Sequence, residues 1–315
     1  MRRREFLGVV GSGMVGVWGR AVALPRPAAD HFVERWSWAM GQAVHLMVFA
    51  ESDGAGLDAC AAALAELRRV EEHLTLFDDA SDLCELNRCA GRSAMRVDRD
   101  LQRVLALAAG FRQGTGGAFD VAVEPLMRVW GFHRPRASEP GAAEIGEARD
   151  AVAAAVVELD GDRARLASGH TQIDLGGIGV GYGIDRALDV LRARGITRAL
   201  LDVSGDLGAL GAPPGEPGWP VEIADPDRTG YTLGATRLRD AALATSANTI
   251  SVVRFGAHVR GHVMNPVTGW PAHALRQATV VAGTAAAADA LSTALLVSGR
   301  RVPGVTTYTV PLTRR

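Results

Sequence analysis

The alternation and spacing of apolar positions divide the chain into segments. Val44–Ala50 predicts a strand. Leu57, Cys60, Leu64, Leu67 and Leu74 fall near one face of a helix over Leu57–Leu74, with Ser52 or Asp53 as its start signal. A second helix is expected after Ser81, and a third over Asp98–Arg112, closed by Gly114. Gly116–Trp130 is glycine-led and then apolar. Pro135–Gly146 reads as a loop. Val156–Leu159 and Arg165–Leu166 flank Asp160-Gly161, which predicts a hairpin.

The most ordered pattern follows. Thr171–Leu175 reads as a strand and Gly176–Gly183 as a glycine-rich turn. Ile184, Leu188 and Leu191 mark a helix that Gly195 ends, and Ala199–Val203 is a further strand. Together these predict a strand–loop–helix–strand unit. Ala212–Pro220 is a proline-rich surface connection, and short strands run on to Val263. A last helix is expected over Ala285–Ser298, capped by Thr284 and stopped by Gly299, with a further strand over Val305–Val310. Without repeats or long linkers, the pattern predicts a single α+β domain.

The 315 residues suffice for a full core, and 48% hydrophobic with 22% charged is ordinary for a globular protein. A net charge of -1 gives no electrostatic footprint for nucleic acid or an anionic membrane. Every basic residue other than histidine is an arginine. The lack of lysine excludes Schiff-base chemistry, a lysine general base and a P-loop. Cys60, Cys84 and Cys89 have no CxxC spacing and read as small buried hydrophobes. The N-terminus carries Arg3-Arg4-Glu5-Phe6-Leu7, a short glycine-rich apolar run to Trp18, and then Ala21-Val22-Ala23. That order predicts a twin-arginine-type export signal over residues 1–23, a mature domain over 24–315, and a periplasmic or outer-face location; a cytoplasmic chain is the alternative. The run is too short to span a membrane as a helix.

Four stretches could carry chemistry. In Ile173–Tyr182, glycines let backbone N–H groups approach a phosphate at a helix N-terminus, and Asp174 can accept hydrogen bonds from a ligand. No register of this stretch gives GxGxxG, which lowers the case for a Rossmann dehydrogenase. Asp289 and Thr293 lie four apart on the last helix and share a face. Such oxygen donors suit Mg2+, although an exposed aspartate and a helical threonine give the same pattern. His262, ahead of Met264-Asn265-Pro266-Val267-Thr268-Gly269, sits where a general acid or base could lie on a loop. Gly117-Ala118-Phe119-Asp120 with Trp130-Gly131-Phe132 could line a nucleotide pocket or a core.

Taken in order, these segments resemble the FAD:protein FMN transferase family, ApbE. Met40-Gly41 resembles its early Met-Gly-Thr. Glu72–Phe77 with Ser81–Asn87 resembles ExxLSxF…SxLxxLN. Phe119-Asp120…Pro125-Leu126…Trp130-Gly131-Phe132 resembles FDxTxxPLxxxWGF. Ile173–Tyr182 resembles IDLGGIAKGY with Asp185 behind it, and Asp202–Asp206 resembles VDxGGD. Ala244-Thr245-Ser246, His262–Gly269 and Ala288–Thr293 complete the series. The resemblance implies an α+β, mixed-sheet fold of one domain and an enzyme that takes FAD as substrate and Mg2+ as cofactor. It implies a metal held by the Gly177 carbonyl, Asp289 and Thr293, and flavin contacts from Met40, Phe77, Ala118, Phe119, Asp120, Asp174, Val180 and Met264. His262 is the implied base. The reaction would split FAD, release AMP, and leave FMN in a phosphoester on a Thr or Ser of an acceptor protein.

The sequence departs from the family pattern in five places, the first being Gln42 where threonine follows Met-Gly. Val180 stands where lysine is usual, Asn265 where aspartate is, and Ala247 where glycine is common. The C-terminus is short after about Gly299. A relative that binds FAD without transfer, or that hydrolyses it to FMN and AMP, is the alternative expectation.

Overall fold

A computed structural model describes residues 30–249 and 251–312. The expected export signal lies outside them. Strands β1 (His31–Ala39) and β2 (Gln42–Ala50) are joined by Met40-Gly41. Both turn residues have positive φ, 55° and 67°, as a two-residue hairpin of right-twisted strands requires. Positive φ at a methionine is strained, and Glu71 steadies the turn by accepting the Met40 N–H at 2.7 Å.

Helix α1 (Asp53–Leu74) starts at Ser52, whose hydroxyl accepts the Ala55 N–H. Then come α2 (Asp82–Arg88), β3 (Met95–Arg96) and α3 (Arg99–Gly114). A 3-10 turn (Val121–Val123) leads into α4 (Glu124–Val129), and α5 (Ala142–Ala153), β4 (Val157–Asp160) and β5 (Arg163–Leu166) follow. Helix α6 (Gly179–Ala193) precedes β6 (Arg198–Val203) and β7 (Asp206–Leu210). Next are β8 (Trp219–Ala224), β9 (Thr232–Leu238), β10 (Ala242–Ala247), β11 (Val252–Phe255) and β12 (His258–Gly261). Finally come β13 (Leu275–Ala282), α7 (Ala285–Ser298) and β14 (Thr306–Pro311).

Seven strands form the main sheet in the order β1-β2-β6-β7-β10-β13-β14, and each neighbouring pair is antiparallel. One core cluster joins a face of this sheet to α1, α6 and α7 through Val44, Leu46, Leu67, Ile184, Ala288 and Leu295. The β8–β9 hairpin covers part of the other face through Trp219, Val221 and Leu238. A further cluster, with Val70, Leu101, Leu126, Trp130, Tyr182 and Ala290, fills the space between the same three helices and the layer of α2 to α5. The three helices are thus apolar on two sides. Helix α7 is buried almost all round, which its alanines permit by allowing close approach.

The α+β class is as expected, and the last helix has its expected cap and stop: Thr284 Oγ1 accepts the Ala287 N–H, and Gly299 is left-handed at φ 66°. Three features differ. Thr171–Leu175 is not a strand, so the expected strand–helix–strand crossover does not form. Its backbone is satisfied elsewhere: Asn87 Nδ2 donates to the Ile173 carbonyl, Asn87 Oδ1 accepts the Ile173 N–H, and the Val121 carbonyl accepts the Asp174 N–H. Pro135–Gly146 is not loop throughout, because α5 begins at Ala142, with Glu144 Oε2 accepting the Gly141 N–H at 2.8 Å. Strand β1 was unexpected from the sequence; its outward Trp36 and Trp38 hide the alternation.

Candidate active site

The extended segment 171–175 delivers Asp174 and then turns through Gly176 and Gly177 into α6. Asp174 Oδ1 accepts the Gly176 N–H at 2.7 Å, so the aspartate shapes the turn itself. A Cβ on Gly177 would lie 3.2 Å from Thr293 Oγ1 and 3.4 Å from the Phe119 ring. Three residues expected at the site thus come together across the junction of α6 and α7. The helices can cross here because Gly181 has no side chain: its Cβ would stand 2.6 Å from the Ala285 carbonyl carbon. Asp185 locks the crossing by accepting the Ala285 and Ala286 N–H groups at 2.7 and 2.9 Å, capping α7 from α6.

Asp289 points into the same junction and accepts the Gly181 N–H at 3.2 Å. It is buried, and burial together with the nearby Asp206 charge raises its pKa well above the usual carboxylate range. Burial also pushes Asp206 up to about 7, with the Asp202 charge adding to the effect and the Thr245 N–H opposing it. Among the described residues, no arginine or histidine forms an ion pair with Asp206 or Asp289. Ser246 Oγ lies 3.1 Å from Thr293 Oγ1 and 2.7 Å from Ser292 Oγ, which fixes the threonine hydroxyl. A buried carboxylate and a half-buried one, neither with a counter-charge, beside an oriented hydroxyl, suit a hard divalent cation such as Mg2+. Gly177, Asp289 and Thr293 are the residues that would hold it.

A second group surrounds Asp174. His133 Nε2 stands 3.4 Å from Asp174 Oδ2, its Nδ1 stands 3.6 Å from Glu124 Oε1, and Arg128 closes on Glu124 at 2.7 Å. Phe77 is 81% exposed, so it is free to stack on a ligand, and it meets the His133 ring edge-on with 6.2 Å between centroids. Burial depresses the pKa of His262 below 6.5, against the opposing Asp174 charge. Its Nδ1 is buried and has no hydrogen-bond partner among the described residues. A neutral imidazole with an unused nitrogen is a competent proton acceptor. Asn248 aims its loop, accepting the Val263 N–H at 2.9 Å and donating to the Ala272 carbonyl at 2.6 Å. Asn265 Oδ1 accepts the Val267 and Thr268 N–H groups at 2.9 and 3.0 Å, so the turn is intact with an amide at this position.

The remaining expected residues are more scattered. Met40 packs against both helix-flanking clusters, and its thioether carbon faces Gly183 of α6. Met264 is buried in the same cluster as Phe119, and Ala118 lies at its edge. Val180, in the first turn of α6, packs against the sheet-side core and brings no charge. Asp120 is turned elsewhere: Arg112 Nε reaches it at 2.7 Å and it accepts the Ala122 N–H at 2.9 Å. It lines a cleft of about 540 Å3 with Leu105, Gly117, Ala122 and Val157.

The profile of the ApbE family matches residues 40–304, which is most of the chain. The chain belongs to the ApbE family. The FAD:protein FMN transferase of Treponema pallidum is 32% identical over 272 residues, covering 76% of this chain and 73% of that protein. That of Haemophilus influenzae is 28% identical over 247 residues, covering 75% and 71%. Among solved structures, the ApbE protein of Thermotoga maritima superposes with a TM-score of 0.77 at 27% identity, over 85% of this chain and 87% of that one. The apo flavinyl transferase ApbE of Pseudomonas stutzeri gives 0.75 at 25% identity, over 89% and 95%. Membership in the ApbE family accounts for the order of the site segments along the chain. Asp206 and Ser246 fall within those segments without an expected role, and Asn248 and His133 fall outside them. Their spacings carried no signal of a role, because each acts through a neighbour distant in sequence.

Proposed function

We propose that this chain is a Mg2+-dependent FAD:protein FMN transferase, acting on a Thr or Ser of an acceptor protein. The observation that carries the reading is the packing of Gly177 against Thr293 beside a buried Asp289 with no counter-charge. The names of the relatives supply the substrate and the reaction class. A bound Mg2+ would neutralise pyrophosphate charge. The chain's own residues would do the rest. Phe77 and Met40 would hold the flavin, and Asp174 would orient it through hydrogen bonds. His262 would take the acceptor hydroxyl proton as that oxygen attacks the FMN-side phosphorus. The bond from that phosphorus to the bridging oxygen breaks, AMP leaves with the oxygen, and the acceptor gains FMN through a phosphoester. An exported setting is part of the same proposal and rests on the Arg3-Arg4 run. Among the described residues no helix is long and apolar enough to cross a membrane.

The test is to incubate the chain with FAD, with and without Mg2+, and with a peptide bearing an acceptor threonine. The expected result is AMP release with an FMN-sized mass gain on the peptide, only when Mg2+ is present. Free FMN and AMP without labelled peptide would make the chain a hydrolase. FAD bound but uncleaved would make it a flavin-binding relative in which Val180 and Asn265 have cost the transfer step.

A further inference from the structure

His133 belongs to none of the residues expected at the site, yet it occupies its centre of charge. It follows Trp130-Gly131-Phe132 directly, just past the end of α4. Trp130 is fully buried and donates its indole N–H to the Gly269 carbonyl at 2.8 Å, which ties the end of α4 to the His262 loop. The residues after it are therefore held against the site. Each ring nitrogen of His133 faces a different carboxylate, Glu124 on α4 and Asp174 on the turn into α6. Glu124 is 4% exposed; its Oε1 faces both His133 and Arg128, while its Oε2 has no partner among the described residues.

We propose that His133 is a positioning residue for the flavin, bridging Glu124 and Asp174 so that Asp174 is fixed for hydrogen bonding to the ligand and the Phe77 ring is braced edge-on for stacking. The proposal rests on the transferase reading, which makes Asp174 and Phe77 flavin contacts. An ordinary core histidine would satisfy one nitrogen and leave the other to solvent or backbone. This one lies between two acids, beside an exposed aromatic ring. Its electrostatics agree with the geometry. Burial lowers the pKa of the imidazole, but contact with Glu124 and the charge of Asp174 outweigh burial, so the net shift is upward. His262, which also feels the charge of Asp174, is shifted the opposite way. One aspartate is thereby flanked by a histidine biased toward the cation and one biased toward the neutral base, a division of roles set by environment alone.

The groups facing His133 are Glu124 and Arg128 from α4, Asp174 from the turn into α6, and the Phe77 ring. Only the doubly protonated ring carries a positive charge and presents an N–H to both acids. Flavin affinity that depends on the bridge is therefore present at low pH, and is lost as pH rises past 6.5 and through the raised value of His133.

The experiment measures FAD binding to the full chain by quenching of flavin fluorescence in Mg2+ without acceptor, from pH 6 to 9. It is run for wild type, His133→Ala, His133→Gln and Glu124→Gln. Wild type is expected to bind less tightly as pH rises. His133→Ala should weaken binding at pH 6 by roughly tenfold, which corresponds to about 1.4 kcal/mol. His133→Gln is uncharged and, with its NH2 toward one acid, turns an acceptor oxygen toward the other, so it should fall between the two, with a flat pH profile. If His133→Ala misfolds, His133→Gln and Glu124→Gln carry the test, and both should lose the pH dependence. Variants that bind FAD like wild type with the same pH profile would overturn the role of His133 while leaving the transferase reading intact. A wild type that does not bind FAD at all would overturn the transferase reading itself.

Discussion

The two halves of the site handle buried charge in opposite ways. Around Asp174, every charge has a protein partner: His133 bridges Glu124 and Asp174, and Arg128 backs Glu124. Around Asp289, negative charge accumulates instead. The charges of Asp206 and Asp185 add to burial in raising the pKa of Asp289, and the charge of Asp202 adds to burial in raising that of Asp206. The first half is complete as folded. The second is stable only with protons, or with a cation that the chain itself does not provide. A chain with 34 basic residues, all arginine, has the means to neutralise these acids, yet no arginine pairs with either among the described residues. On the proposed reading, such a carboxylate cluster trades some stability for cation binding.

Asp289→Asn tests that contrast with the largest expected effect. Transfer should fall by about 10^2–10^3-fold, the usual result of removing a group aimed at transition-state charge. Stability of the metal-free protein should move the other way. A carboxyl whose folded pKa lies above its unfolded 3.8 holds its proton more tightly in the fold. Its stabilising effect is full below 3.8 and is lost as pH rises through the folded value, about 7 for Asp206. In EDTA at pH 8, the Asp289→Asn variant should therefore be more stable than wild type by about 1–2 kcal/mol, read as a higher melting temperature, and the gain should shrink at pH 5. A variant less stable than wild type in EDTA at pH 8 would mean that Asp289 is not an uncompensated charge.

The histidine half is probed by His262→Ala, for which general-base catalysis predicts a loss of about 10^2–10^4-fold in kcat/KM. The pH profile is the sharper measurement. Because burial holds His262 below 6.5, wild-type activity should persist as pH falls past 6.5 and decline only lower, where the imidazole finally takes a proton. That acid limb should vanish in the variant. An acid limb centred above 6.5 would assign it to another group, since His262 is held below that value.

Gly181→Ala acts on the frame that both halves share. A methyl group there meets the Ala285 carbonyl and the Ala286 nitrogen, so α6 and α7 must part. Overpacking of this kind costs about 1–3 kcal/mol. The separation would also move Thr293 away from Gly177. The expected result is a lower melting temperature together with a raised Mg2+ requirement. A lower melting temperature with an unchanged Mg2+ requirement would show that the cation site does not depend on this crossing.

What the sequence revealed follows the same division. Asp289 and Thr293 were legible because helix periodicity alone puts them on one face, and α7 was bounded by two strong local signals, Thr284 and Gly299. The Asn265 turn was legible because its chemistry is confined to four residues. Thr171–Leu175 misled because its backbone partners, Asn87 and Val121, lie far off in the chain, and extended apolar residues look like a strand whichever partner they take. His133, and the role of Asp206 within its Asp202–Asp206 segment, were hidden for a related reason. Their importance lies in what faces them, Glu124 and Asp174 for one and Asp289 for the other, and no spacing encodes that.

Asn265→Asp is the smallest expected effect and separates turn chemistry from charge. The side-chain oxygen that accepts the Val267 and Thr268 N–H groups is present in either residue. Stability should therefore change by no more than about 0.5 kcal/mol, as for a surface substitution that disturbs no cap or core. Any change in activity would then report the added carboxylate itself, on the same loop as His262. If charge on this loop matters, the new carboxylate should raise the pKa of the His262 imidazole by favouring its cationic form, and so move the acid limb of kcat/KM upward. An unchanged limb would mean that the turn's only contribution is to aim the His262 segment, which the amide does as well as the acid.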